Sequence, residues 1–509
     1  MPTLRRSSAS LLALALVVML TGIRPAHAAP GELVLAPPQT IPLGAQATQL
    51  RVLDVSGDGI PDLIAGASIA PGLQVLLGQG DGTFGAPIFT PMADLDEFDL
   101  GDVNGDGQTD LVVVLNLGSF VYTLQVHLGD GSGFFALSGG FDVSNPGSTY
   151  SMLLLDVDED GDLDVMLGQA GKLRTMLGDG AGGFAPPGPF LPPSFALIHE
   201  LYAFDANGDG HLDVMGSGNG FFVNGWAVYA GDGDGGFSVL QSAYTFVDGD
   251  LAGSALGDFD GDHRTDFVLN GRDLECGTPC YELAFVQGTG SGFAIPSPDK
   301  VPAPGDSLIR AGDLDGDGLA DVAGHSGFQL WVLLGQGDFA FAEPQYFTGV
   351  SGGDLALADV NGDERLDVLS LNQSGSVRLL LNQTPPSGWT DLGHGLAGSD
   401  GVPSLLGLGE LQPGEPGALK LTHANPDKLA ALVIGATSAP APFKGGTLVP
   451  VPVSILFMLG TSPDGTITLP WNAWPSMPAG TDWFFQYAIV DSAGPAGASL
   501  SNAVRALQP

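Results

Sequence analysis

Basic residues are scarce in this chain. Lys and Arg number 16 against 57 Asp and Glu, a formal net charge of −41 over 509 residues. Nucleic acid and anionic membrane surfaces are bound through clustered Lys and Arg, so this composition excludes both as partners. Charge of either sign is also sparse, at 14% of residues, where soluble domains average about 25%. The acidity therefore reflects missing bases as much as added acids. Cysteine is almost absent, and no HExxH or Walker motif occurs anywhere. Beyond the first thirty residues no apolar run reaches the length of a membrane span. What is present in quantity is Gly, at 78, Pro, at 38, and hydrophobic residues, at 44%. That apolar content can bury a core, which a disordered acidic tail cannot.

Residues 1–29 read as a signal peptide. Arg5 and Arg6 precede an apolar run from Leu11 to Leu20, and Ala26-His27-Ala28 supplies the small residues of a cleavage point. The run is too short for a permanent span, and no Cys follows it to carry a lipid. Cleavage near Ala28 predicts an exported, soluble protein, secreted or held at the cell surface.

A nine-residue motif then recurs seven times. It reads DVSGDGIPD from Asp54, DVNGDGQTD from Asp102, DVDEDGDLD from Asp156 and DANGDGHLD from Asp205. It continues as DFDGDHRTD from Asp258, DLDGDGLAD from Asp313 and DVNGDERLD from Asp359. Successive starts lie 46 to 55 residues apart, near the periods of propeller repeats and above those of helical solenoids.

Oxygen-bearing side chains fall at positions one, three, five and nine of each copy. They are Asp54, Ser56, Asp58 and Asp62; Asp102, Asn104, Asp106 and Asp110; Asp156, Asp158, Asp160 and Asp164; and Asp205, Asn207, Asp209 and Asp213. The later copies offer Asp258, Asp260, Asp262 and Asp266; Asp313, Asp315, Asp317 and Asp321; and Asp359, Asn361, Asp363 and Asp367. The seventh residue is expected to add a backbone carbonyl, from Ile60, Gln108, Asp162, His211, Arg264, Leu319 or Arg365. Alternating oxygen donors suit a hard cation of the Ca²⁺ type, so up to seven Ca²⁺ ions are expected. Glycine at the sixth position permits the positive φ of a sharp turn. His263 and Glu364 replace that glycine, and the neutral Ser56 weakens the first site, so weaker binding is expected there. The second, third, fourth and sixth copies follow the pattern best. An EF-hand needs a bidentate Glu at position twelve, yet Ala65, Val113 and Leu167 stand there. Strand-like runs such as LIAGA from Leu63 and LVVVL from Leu111 follow instead, placing the loop between two strands. A bare Asp/Gly turn without metal would not call for four converging oxygens.

About twenty-five residues after each motif comes a Gly/Asp turn with an aromatic restart. Examples are LGQGDGTF ending at Phe84, LGDGSGF ending at Phe134, LGDGAGGF ending at Phe184 and AGDGDGGF ending at Phe237. Looser versions end at Phe293 and Phe341. Each unit is then four strands, the size of a propeller blade. The seventh breaks off at Asn382 before Pro385-Pro386, and residues 31–43 are the candidate fourth strand that closes the ring. The Asp loop inside a four-stranded repeat, with its later GDGxF turn, resembles the FG-GAP/VCBS repeats of integrin α-chain-type propellers. The resemblance covers about residues 31–386. It implies loops that bind Ca²⁺ and stiffen the blades, while partner recognition lies elsewhere on the ring.

The expected organisation is a signal peptide over 1–29, a seven-bladed β-propeller over 30–386 and a β-sandwich or jelly roll over 387–509, all-β throughout. The last part is rich in Gly, Pro and Ala, with short apolar strands and an aromatic cluster of Trp471, Trp474 and Trp483. The cluster reads as core rather than as a sugar-stacking platform. Other candidates for chemistry dissolve. Gly305-Asp306-Ser307-Leu308 spells an esterase tetrapeptide without the α/β context or a late Asp-x-x-His, and Gly324-His325-Ser326-Gly327 misses the nucleophile-elbow spacing. His211 is expected to face solvent. Cys276 and Cys280 read as a local disulfide pinning a hairpin extension. The expected function is an extracellular interaction or adhesion module, acting as a monomer on a protein or a glycan. The alternative is a polysaccharide-acting enzyme or lectin with its site on a propeller face. An enzyme would need a pair of acids, or an acid with His or Tyr, outside the calcium loops.

Overall fold

The computed structural model describes residues 33–508 except 68–71, 93, 120, 145–148, 170–171, 193–196, 220–223, 245–250, 274–279, 296–299, 306, 328, 351, 364, 373–374, 385–387, 400–401, 409–410, 412, 415–416 and 463–464. The signal-peptide reading, Glu364, Pro385-Pro386 and Cys276 thus lie outside the described residues. So does the side chain of Cys280, whose backbone opens a strand.

Each Asp motif joins the first and second strands of an antiparallel sheet. The second sheet shows the plan: Leu95–Gly101, then Asp110–Asn116, Tyr122–Gly129 and Phe135–Asp142, each paired with its predecessor. Among the described residues seven sheets of this kind occur. The last is completed from the other end of the sequence, as Gln39–Pro42 pairs with Ser376–Leu380. The third differs from the expected four strands. Beyond Lys172–Met176 the ladder reduces to two isolated bridges, Gly178 with Phe184 and Leu173 with Leu191. Pro186, Pro187, Pro189, Pro192 and Pro193 crowd this stretch and have no N–H to give a ladder.

Second strands are apolar on both faces because each is covered on both sides. Leu111, Val113 and Leu115 join a core with the first sheet, while Val112 and Val114 join one with the third. Seven such cores follow one another between neighbouring sheets. The last places Leu369, Leu371 and Val377 of the seventh sheet against Leu50, Leu63 and Ala65 of the first. The sheets are therefore propeller-like blades arranged in cyclic order.

Beyond Gly388 two further antiparallel sheets face each other. One contains Leu429–Gly435, Ile455–Gly460 and Asp482–Val490; the other is Ser404–Leu408, Gly417–Thr422 and Ile467–Trp471. They share one core with Trp471, Trp474 and Trp483 buried in it, so the tryptophans pack rather than form an exposed platform. This unit sits on the fifth Asp loop and on the Gly/Asp turn of the sixth blade. Ser404 Oγ donates to the Gly261 carbonyl at 2.9 Å, Lys420 Nζ meets Asp338 at 2.6 Å, and His423 Nε2 lies 3.3 Å from Asp262 Oδ2.

Candidate functional site

The Asp loops are built by side chains that hold their own backbone. In the second loop Asp102 accepts the N–H groups of Gly105 and Gly107, both at 2.7 Å, and Asp106 accepts that of Gln108 at 2.8 Å. The fifth-position Asp makes the same bond to the seventh residue in every loop, at 2.8 to 3.1 Å. Sixth-position glycines take the left-handed conformation, with φ 82° at Gly107 and 94° at Gly161. His263, in the glycine's place, takes it too, with φ 61°.

The ninth-position Asp has a second role that its spacing did not reveal. Asp62, Asp110, Asp164, Asp213, Asp266, Asp321 and Asp367 are all at most 1% exposed. One carboxylate oxygen of each accepts the N–H of the loop's second residue, as Asp164 does from Val157 at 2.8 Å. The other accepts an N–H from the end of the third strand, as Asp164 does from Gly178 at 2.6 Å. The strand residue is a glycine in five further blades, Gly78, Gly129, Gly231, Gly288 and Gly335, and Asn382 in the seventh. Its identity follows from this close approach. A Cβ on Gly129 would stand 2.1 Å from the Thr109 carbonyl, and one on Gly178 would stand 2.4 Å from that of Leu163.

Donor oxygens converge most clearly in three loops. Asp156, Asp158 and Asp164; Asp258, Asp260 and Asp262; and Asp313, Asp315 and Asp321 each bring ligand atoms within 4.8 Å of one another. The fifth loop is thus assembled despite His263. In the loops from Asp102, Asp205 and Asp359 the third-position Asn turns its amide onto the fifth-position Asp, at 2.9 to 3.0 Å. Burial and neighbouring carboxylates push Asp260 and Asp315 up to about 7 and Asp266 to about 9. Asp156 Oδ1 and Asp158 Oδ1 are buried without a hydrogen-bond partner. Crowded, desolvated carboxylates with orphaned lone pairs fit a metal ion, and the all-oxygen donor set is that of a hard one.

Neighbouring blades meet at these loops. The N–H of Gly82, in the turn of the first blade, donates to Val360 of the seventh loop at 3.1 Å. Gly182 of the third blade likewise reaches Val103 of the second loop at 2.9 Å, and Phe339 of the sixth reaches Phe259 of the fifth at 3.2 Å. His211, expected to face solvent, bonds Glu159 of the preceding loop at 2.6 Å, which raises its pKa.

A second cluster lies on the ring axis, on the innermost strands. Five residues before each loop stand Gln49, Glu97, Ser151, Glu200, Gly253, Leu308 and Asp354. Three before stand Arg51, Asp99, Leu153, Tyr202, Ala255, Arg310 and Ala356. Most of these line a cavity of about 440 Å³ reached by all seven inner strands. Arg310 bonds Glu200 and Asp354, both at 3.1 Å, and Arg51 lies 3.4 Å from Glu97 and 3.5 Å from Asp354. Tyr202 donates to the Ser254 carbonyl at 2.7 Å. The signal was present in sequence, as charge at a fixed offset in otherwise apolar strands. It has meaning only once the strand before each loop is known to be innermost.

A family match agrees with the repeat geometry. The model of the FG-GAP-like repeat matches residues 54–113, 102–167, 156–216 and 313–370. No curated protein matches the chain. Among solved structures, an Agrocybe aegerita lectin described as recognising non-reducing terminal N-acetylglucosamine is 19% identical, with a TM-score of 0.43 over 60% of this chain and 81% of the lectin. The V. cholerae biofilm matrix protein Bap1 is 15% identical, with a TM-score of 0.34 over 94% of this chain and 67% of that one. The Dos1 propeller is 9% identical, with a TM-score of 0.42 over 69% of this chain and 94% of that one. Four matched repeats on blade sheets in cyclic order identify the chain as an FG-GAP-repeat β-propeller protein.

Proposed function

We propose that this chain is an exported, seven-bladed propeller that binds Ca²⁺ in its Asp loops and acts as an extracellular interaction module. Its partner in this reading is a protein or a glycan, and it works by binding rather than by catalysis. The observation that carries the proposal is the set of converging carboxylates with orphaned buried oxygens at Asp156 and Asp158. Such a cluster is self-repelling when empty and stabilised when a hard cation fills it. The second, fifth and seventh loops are also gripped by a neighbouring blade in the contacts above, so an ion in one of them stiffens the joint between blades as well as the turn. A ring stiffened in this way presents broad fixed faces, which is what recognition of an extended partner requires.

The test is a thermal melt in calcium and in EGTA, followed by a panel of glycans and polysaccharides. Chelation is expected to lower the melting temperature, and an unchanged value refutes the calcium reading. Retention of a panel member without product release supports a binding module. Release of new reducing ends places the chain among enzymes instead.

A further inference from the structure

The three-stranded sheet of the C-terminal unit buries both of its faces. Leu405, Leu419 and Leu421 point into the unit's own core. Ser404, Leu406, Lys420 and Thr422, which alternate with them, are at most 8% exposed on the opposite face. What covers this second face is the propeller. Ser404 Oγ donates to the Gly261 carbonyl, and Lys420 Nζ pairs with Asp338 in the Gly/Asp turn of the sixth blade. Leu406 lies so close over the fifth loop that a Cβ on Gly261 would stand 2.4 Å from its Cδ1. His423 Nε2 faces Asp262 Oδ2 at 3.3 Å.

The cover changes the fifth loop. In the first four loops the fourth and fifth residues are exposed: Gly57 and Asp58, Gly105 and Asp106, Glu159 and Asp160, Gly208 and Asp209. In the fifth, Gly261 and Asp262 are buried, and Asp260 with them. Asp258, Asp260 and Asp262 are also one of the three sets whose ligand oxygens converge within 4.8 Å. Arg264, 3.5 Å from Asp262, offsets one of these charges; His263 and His423 offset others only when protonated. Stripping water from crowded carboxylates is unfavourable unless a cation compensates them. A filled fifth loop and a seated C-terminal unit therefore favour each other, and linkage makes that coupling reciprocal.

We infer that the fifth loop and the C-terminal unit form one composite Ca²⁺ site, in which an ion held by Asp258, Asp260 and Asp262 is enclosed at the joint and fixes the unit on the ring. The inference rests on the calcium reading of the loops and adds a task specific to this one, the fastening of a domain. Ser404, Leu406 and His423 are its cover rather than its ligands. They position the unit and exclude the water that would otherwise screen the ion from its carboxylates.

The test is lysine footprinting of the full chain with an acetylating reagent, read by peptide mass spectrometry in millimolar calcium and in EGTA. Lys420 is buried at the seat, while Lys428 of the same unit is exposed and serves as the reference. Fluorescence of the buried Trp471, Trp474 and Trp483 reports whether the unit itself stays folded. In the parent, EGTA is expected to speed labelling of Lys420 relative to Lys428 at least tenfold with the tryptophan emission unchanged. Asp260→Asn is expected to do the same in calcium, and Asp158→Asn in the third loop is not. Should Asp260→Asn fail to fold, Leu406→Ala thins the cover without touching a ligand. It is expected to weaken one calcium site per chain at least tenfold in a calcium titration and to leave the others unchanged. A melting temperature that EGTA lowers while Lys420 stays protected overturns this inference alone; one that EGTA leaves unchanged removes the calcium reading as well. Lys420 exposure only together with a shifted tryptophan emission, parent-like labelling of Asp260→Asn in calcium, or a titration unaltered by Leu406→Ala also overturns it.

Discussion

The two roles assigned to loop carboxylates make opposite demands on calcium, and the third loop separates them. Asp164 holds two backbone N–H groups, from Val157 at 2.8 Å and Gly178 at 2.6 Å, while 1% exposed. Asp164→Ala orphans both donors. With each bond to a charged acceptor contributing about 1.5–3 kcal/mol, the loss is roughly 3–6 kcal/mol, and it needs no metal. Asp158 has a buried Oδ1 without a partner, and burial together with Asp160 and Asp156 raises its pKa. Asp158→Asn therefore relieves repulsion when the loop is empty and removes a charged ligand when it is filled. If calcium is present at about a hundred times its dissociation constant and the variant binds about a hundredfold more weakly, about 2 kcal/mol of stabilisation disappears. The assay is chaotrope unfolding of both variants and the parent, in EGTA and in millimolar calcium. Asp164→Ala is expected to lose stability in both conditions. Asp158→Asn is expected to lose it only in calcium and to match or exceed the parent in EGTA. An Asp164→Ala midpoint equal to the parent's in EGTA refutes the metal-independent role of Asp164. An Asp158→Asn loss of the same size in both conditions refutes the ligand role.

Three more outcomes follow from single residues. His325 is buried with Nε2 2.9 Å from Ser370 Oγ, and burial lowers its pKa from 6.5 to about 4. The unfolded chain takes up its proton first, so stability present above pH 6.5 falls as pH drops towards 4, by up to about 3 kcal/mol for this group. His325→Gln is expected to flatten that part of the stability–pH curve. Gly129→Ala places a Cβ 2.1 Å from the Thr109 carbonyl and is expected to cost about 1–3 kcal/mol in denaturant melts, with calcium or without. His263→Gly removes a side chain from a residue at φ 61°. Relief of about 1 kcal/mol of left-handed strain is expected to appear as a higher melting temperature in EGTA.

Most of the loop geometry was legible because it is local. The glycine at position six marked a sharp turn from sequence alone, and the bond from the Gly107 N–H to Asp102 lies within that turn. The strand-loop-strand order was legible for the same reason, in apolar runs such as LVVVL. What could not be read were relations between strands and between blades. The second task of Asp164 involves Gly178 at the end of a later strand, and the tightness of that glycine is explained by the carbonyl of Leu163 in the Asp loop. The axial charges at Arg51, Glu97, Glu200 and Arg310 stand at fixed offsets before four different loops, a signal without meaning until those strands are known to be innermost. The seat of the C-terminal unit on Gly261 and Asp262 likewise depends on Ser404 and His423, which no pattern marks. The third blade's shortened ladder is the exception, since its prolines were in plain view.

The pairing of Gln39–Pro42 with Ser376–Leu380 also sets a timetable for synthesis. Thr40 meets Arg378 across a separation of 338 residues, so this strand of the ring has no partner until nearly the whole ring has been translated. Throughout that interval it is an unsatisfied edge able to pair with other chains. Its sequence, QTIP, is short and ends in a residue with no N–H to donate, which limits what a wrong neighbour can gain from it. Completion of the ring is thus a single late event of high contact order. Chains truncated before residue 376 are expected to accumulate as open arcs rather than as smaller rings.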